Sequence, residues 1–276
     1  MLPSFLVIGA QRSGTTSLFQ VLRRHPQVFI PDVKEVNFFF HDNHYRRGVE
    51  YYQSVFADAA PSSLAVGEAS PGYICKPGVA GRIHELLPSV KLVAVLRNPV
   101  DRAYSQYWDN RRFLAEPLSF EQAIDVALTP EYRHGERGYF SRGAYIDQIE
   151  SYLELFKREQ MLVLIFEDLK KDPEAVFSRC FEFLGVDPAF RCPEMTKASN
   201  SSMVWDNPVH SFFLRRNKYQ KWVPKHWIKQ ACRGPLVTRK YPPMSREARE
   251  RLLEFYRPYN QRLEAFLGRE LERWKS

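Results

Sequence analysis

At 276 residues, 44% of them hydrophobic and 14% aromatic, the chain has ample apolar content for a folded core, which excludes a disordered polyelectrolyte. No run of 18 apolar residues occurs and no targeting segment stands out, so no spanning helix and a cytoplasmic location are expected. The formal net charge of +8 calls for an anionic ligand or partner, and Cys75, Cys180, Cys192 and Cys232 lack the C-x-x-C spacing of a zinc site or disulfide framework.

In chain order, the first predicted element is a strand at Phe5 to Ile8, a continuous apolar run suited to a parallel strand buried on both faces. It leads into Gly9-Ala10-Gln11-Arg12-Ser13-Gly14-Thr15-Thr16, a near match to the G-x-x-x-x-G-K-[ST] loop that cradles nucleotide phosphates. Thr15 stands where that loop has its lysine. Leu18, Val21 and Leu22 then recur at helical spacing until His25-Pro26. Strand, glycine loop and helix start together present amide donors and a positive dipole end to an anion, and Arg12 adds a cation with a fork suited to oxyanions.

Lys34-Glu35 comes next, ahead of Phe38-Phe39-Phe40. A carboxylate leading into aromatics is a candidate general base if they desolvate it, with His41 and His44 as rivals. A strand predicted over Val90 to Leu96 ends in Arg97-Asn98-Pro99, and Pro99 suits a first helical position. Ligands of open α/β sheets bind at the carboxyl ends of strands, so Arg97 and Ser105 form a second candidate anion site; the competing reading pairs Arg97 with Asp101. A triphosphatase would place an Asp at this strand end to hold Mg²⁺, and the chain has Arg97. A further strand from Met161 to Leu169, ending in Glu167-Asp168, keeps the triphosphatase reading open. Between Asp206 and Glu247 lie ten Lys or Arg residues and no carboxylate, interleaved with Phe212, Phe213, Tyr219, Trp222 and Trp227. Such a segment suits a nucleic-acid strand, sugar rings or an anionic membrane surface, or is a solvated basic face.

Taken together, GAQRSGTTSL, KEVNFF, LVAVLRNPVDRAYSQYW and the late RKYPPMSREARERLLEFYRPYNQRLEAFLG resemble the sulfotransferases that use 3′-phosphoadenosine 5′-phosphosulfate (PAPS). The resemblance is strongest to the branch of the heparan sulfate sulfotransferases and their bacterial relatives, and it runs from Phe5 to about Trp274. It implies that Arg12, Ser13, Gly14, Thr15, Thr16 and Ser17 hold the 5′-phosphosulfate and that Arg97 and Ser105 take the 3′-phosphate. It further implies that Glu35 is the general base, that Arg12 stabilises charge on the leaving oxygen, and that Arg239 and Lys240 close over the nucleotide. No metal is then required. There are departures: Arg12 replaces the branch's usual lysine, and Ala69 replaces a cleft lysine in Glu68-Ala69-Ser70-Pro71-Gly72-Tyr73. The glycine-rich Lys-Gly-Arg loop appears as Val237-Thr238-Arg239. The donor site is therefore expected intact and the acceptor open.

The expected architecture is one α/β domain over residues 1–276, with a central, mainly parallel sheet flanked by helices and a phosphate loop after the first strand. The expected reaction moves a sulfuryl group from PAPS to an acceptor hydroxyl on a carbohydrate or lipid-linked sugar, with no nucleic-acid partner. A nucleotide-dependent kinase and a non-catalytic basic module for nucleic acid or acidic glycans are the alternatives.

Overall fold

A computed structural model describes residues 1–112, 116–129, 138–197, 203–205 and 238–276. The chain forms two compact units, each drawn from separated stretches of sequence. One comprises Met1–Asn98, Ala144–Asn200 and Pro258–Ser276; the other comprises Pro99–Gly143 and Ser201–Arg257.

The first unit holds a five-stranded sheet of β1 (Phe5–Gly9), β2 (Val28–Phe29), β3 (Ala65–Ala69), β4 (Lys91–Leu96) and β5 (Met161–Ile165). The spatial order is β2-β3-β1-β4-β5 and every pairing is parallel. Parallel neighbours require crossovers, which α1 (Thr15–Leu22), α2 (Asp42–Tyr45), α3 (Gly48–Ser54), α4 (Val79–Leu86) and α7 (Tyr145–Leu153) help to supply. Strand β1 shows why its run is apolar throughout. Leu6 and Ile8 face a core containing Tyr52, Ile83 and Ile149, while Phe5 and Val7 face a second core with Leu18, Phe177 and Phe181. After β5 come α8 (Phe166–Lys171) and α9 (Pro173–Leu184); α9 is capped by Asp172, whose carboxylate accepts the Ala175 N–H, and stopped by Gly185 in a left-handed conformation. The predicted strand from Met161 to Leu169 is thus shorter than expected, and Glu167 and Asp168 lie in the first turn of a helix.

The second unit contains α5 (Pro99–Arg112), which opens on its proline as expected, and α6 (Phe120–Ala127), which begins with a Ser119–Gln122 capping box. Its two-stranded sheet pairs β6 (Met203–Trp205) with β7 (Thr238–Lys240) in antiparallel register. Helix α10 (Arg246–Leu267) contributes residues to both units. Among the described residues, no helix is long and apolar enough to cross a membrane.

Candidate active site

The carboxyl ends of β3, β1 and β4 lie side by side, with Val7 opposite Ala69 and Gly9 opposite Ala94. The loops that leave these strands are therefore gathered at one edge of the sheet, the place where open parallel sheets bind ligands. From β1 comes the glycine loop. The Ala10 N–H is tied to Val95 O at 2.8 Å, and Arg12 and Gly14 adopt φ 68° and φ 94°. The left-handed angle costs Gly14 little, because it has no Cβ; at Arg12 it is uncommon and is held by the surrounding turn. Gly14 caps α1 without any side-chain bond; the Ser17 N–H closes on Gly14 O at 3.0 Å, and among the described residues the Thr15 and Thr16 amides at the start of α1 are left for another acceptor. Inside the loop, Ser13 is wholly buried and its Oγ has no hydrogen-bond partner among the described residues. A buried hydroxyl without a partner is expensive, so this point is built for a hydrogen-bonding group brought from outside.

Arg97, at the end of β4, donates from Nη1 to Arg12 O at 3.3 Å and lies over the Phe166 ring at 5.2 Å. Its own carbonyl accepts from Tyr145 Oη at 2.9 Å. Asp101, the partner of Arg97 in the competing reading, is bridged to Arg249 at 2.7 Å within the second unit. Ser105 is buried in the second turn of α5, in that same unit. Arg239 and Lys240 belong to the backbone of β7; their side chains, and most of the basic aromatic stretch from Asn207 to Arg246, lie outside the described residues.

Glu35 sits in the loop between β2 and α2, with its side chain 29% exposed and 3.8 Å from Lys34 Nζ. Burial holds the Lys34 ammonium below its usual range, only partly offset by Glu35. Phe38 and Phe39 turn into the core, where Phe38 stacks on Tyr52 with ring centroids 4.2 Å apart. His41 is exposed ahead of α2, and burial together with the His44 and Lys76 charges lowers its pKa. Burial raises the pKa of the Glu68 carboxylate, in the strand Ala65–Ala69, to about 7. Its signal in the sequence was a lone carboxylate inside an otherwise apolar strand.

The two carboxylates that kept the triphosphatase reading open are already engaged. Glu167 accepts from the Asn98 N–H at 3.1 Å and the Trp274 indole at 2.9 Å, while Asp168 is bridged to Arg269 at 2.6 Å. They tie down the chain around β4, α8 and the C-terminal turn.

The chain matches the sulfotransferase domain family over residues 2–268. It is a member of that family. This sulfotransferase domain is 32% identical over 281 residues to the mouse bifunctional heparan sulfate N-deacetylase/N-sulfotransferase 4, aligning 97% of the chain with 30% of that protein. To the human N-deacetylase/N-sulfotransferase 3 it is 31% identical, aligning 99% of the chain with 31% of the relative. It thus spans about a third of the length of the curated relatives it matches. A sulfotransferase from Alicyclobacillus acidocaldarius superposes over the whole of both chains with TM-score 0.74 and 31% identity. The sulfotransferase domain of the curacin biosynthetic pathway shares the fold at TM-score 0.52 and 17% identity, over 98% of this chain and 99% of that one.

Proposed function

We propose that this sulfotransferase domain, taken as residues 1–276, uses PAPS as its donor and transfers the sulfuryl group to an acceptor hydroxyl on a carbohydrate or lipid-linked sugar. The observation that carries the reading is the glycine loop, with Ser13 Oγ buried and unpartnered beside the open start of α1. In this reading Arg12, Ser13, Gly14, Thr15, Thr16 and Ser17 hold the phosphosulfate. The sulfur–oxygen bond to the phosphate breaks as a bond to the acceptor oxygen forms. Negative charge then grows on the phosphate oxygen, where Arg12 and the helix amides stabilise it without a metal. Glu35 takes the acceptor's proton. Arg97 and Ser105 take the 3′-phosphate, and Arg239 and Lys240 close over the nucleotide. Helix α5 supports the anion assignment independently. Arg102 is 1% exposed and, among the described residues, none of its three guanidinium nitrogens has a hydrogen-bond partner, a costly state for a buried cation unless a ligand supplies the anion. Ser105, three residues on, shares its helix face.

The heparan sulfate N-sulfotransferase names of the relatives favour a second reading of the acceptor, an amine on a glucosamine unit. Transfer from ³⁵S-labelled PAPS onto oligosaccharides with free hydroxyls, N-deacetylated heparosan, glycolipids and phenols separates the two. Donor identity is tested apart from the acceptor. The product nucleotide 3′-phosphoadenosine 5′-phosphate should raise the melting temperature well above AMP, by mass action on the folded state. Arg97→Ala should erase most of that difference. Equal stabilisation by the two nucleotides would sink the 3′-phosphate assignment.

A further inference from the structure

The carboxylate of Glu68 takes no part in the transfer step, yet it is wholly buried and receives three hydroxyl protons. Oε1 accepts from Tyr52 at 2.9 Å and from Tyr73 at 2.8 Å, and Oε2 accepts from Ser70 at 2.6 Å. Two of these hydroxyls also grip the loop that carries Glu35. Ser70 Oγ accepts the Asn37 N–H at 2.9 Å, and Tyr73 Oη accepts the Phe39 N–H at 3.3 Å. Asn37 is held at φ 54°, in the left-handed region, and its Nδ2 donates to Glu35 Oε2 at 3.4 Å. Each bond fixes the direction of the next. An ionised carboxylate only accepts, so Ser70 and Tyr73 must turn their protons to Glu68 and their lone pairs to the loop amides.

We propose that Glu68 is a positioning residue for sulfuryl transfer, acting through Ser70 and Asn37 to aim the Glu35 carboxylate at the acceptor. The proposal rests on the assignment of Glu35 as the base. The groups facing Glu68 are Tyr52 from α3, Tyr73 and Ser70 beyond the end of β3 and, by charge, Glu35; among the described residues it makes no ion pair. Burial and the Glu35 charge oppose its ionisation while the three hydroxyls favour it, and the balance falls at about 7. Once protonated, Glu68 becomes a donor, and a hydroxyl must turn to receive it. The grip on the loop is then set by a proton on a residue that touches no substrate.

The test measures kcat and KM for PAPS with the best acceptor of the screen or, failing one, with water, alongside calorimetric binding of 3′-phosphoadenosine 5′-phosphate. Ser70→Ala should lower kcat about 10–100-fold, the scale of a misaimed catalytic group, with KM for PAPS and nucleotide affinity unchanged. Ser70→Thr keeps the hydroxyl and should restore kcat to within about threefold of wild type. In a Glu35→Gln background, Ser70→Ala should cost nothing further, because its effect passes through the carboxylate already removed. Glu68→Gln should flatten the rise of kcat between roughly pH 6 and 8. Wild-type kcat in Ser70→Ala, or a full additive loss in the double variant, overturns the proposal; if Glu68→Gln fails to fold, the serine variants decide. Wild-type turnover in Glu35→Gln instead overturns the base assignment itself.

Discussion

Arg12 and Gly14 carry φ 68° and φ 94° within three residues, so the loop tolerates little change at either. A Cβ at Gly14 would be strained by its backbone and would meet the Phe166 ring at 2.7 Å. Gly14→Ala should therefore destabilise by about 1–3 kcal/mol and lose the stabilisation by product nucleotide, both read from thermal melts. Arg12→Ala should lower kcat by about 10²–10³-fold, the usual loss for one preorganised donor at a developing charge. Arg12→Lys keeps the charge and should remain partly active; full activity in Arg12→Ala would show that the amides suffice. Arg102 gives the opposite sign in the unliganded protein. Replacing an unpaired buried cation with an apolar chain of similar length removes a desolvation cost, so Arg102→Met should raise the melting temperature without nucleotide and shrink the rise that nucleotide produces.

At the scale of elements, β3 carries the unusual energetics. Burial raises Glu68 from an ordinary 4.5 to about 7, so the folded state binds this proton more tightly than the unfolded chain does. Its contribution is fully present below about pH 4.5 and is lost as pH rises through about 7. The loss is about 3 kcal/mol, since each tenfold gain in proton affinity is worth about 1.4 kcal/mol. Denaturant titrations from acidic to mildly alkaline pH should show this decline in wild type and its absence in Glu68→Gln. The same strand marks the limit of what the sequence reveals. Strands β1 and β4 were legible because parallel strands buried on both faces must be apolar throughout, and α1 and α5 because a glycine loop and Asn98-Pro99 announce their starts. Ala65–Ala69 has a glycine and a carboxylate among five residues, so no periodicity identifies it as a strand. The loop residues and Arg97 were legible through their spacing to strand ends. The hydroxyls around Glu68 were not, because Tyr52, Ser70 and Tyr73 converge only when α3 and the turn after β3 fold onto one face. The direction of Phe38 and Phe39, into the core, was not legible for the same reason: composition tells that a segment is apolar, not which way it turns.

At the scale of the whole molecule, the sheet-bearing unit is assembled from three stretches of chain, and the last is essential to its core. Leu263, Leu271 and Trp274 are 1%, 4% and 2% exposed and pack in the same cluster as Leu6 and Ile8. Trp274 also donates to Glu167, and the Arg273 carbonyl accepts from the Asn98 side chain at 3.1 Å. Trp274→Ala should cost about 3–5 kcal/mol, measured by denaturant unfolding. Removing Pro258–Ser276 altogether should abolish the cooperative transition rather than leave a slightly shorter enzyme. The arrangement also sets a timetable during synthesis. The ribosome delivers the glycine loop and Glu35 early, but the core beneath them cannot close until Pro258–Ser276 have left the exit tunnel. At roughly 5–20 residues per second, that leaves strands β1, β3 and β4 with an unfinished core for roughly 10–40 s. Over that interval the nascent chain exposes apolar strand faces to chaperones, and nucleotide cannot rescue it, because the pocket it would stabilise does not yet exist.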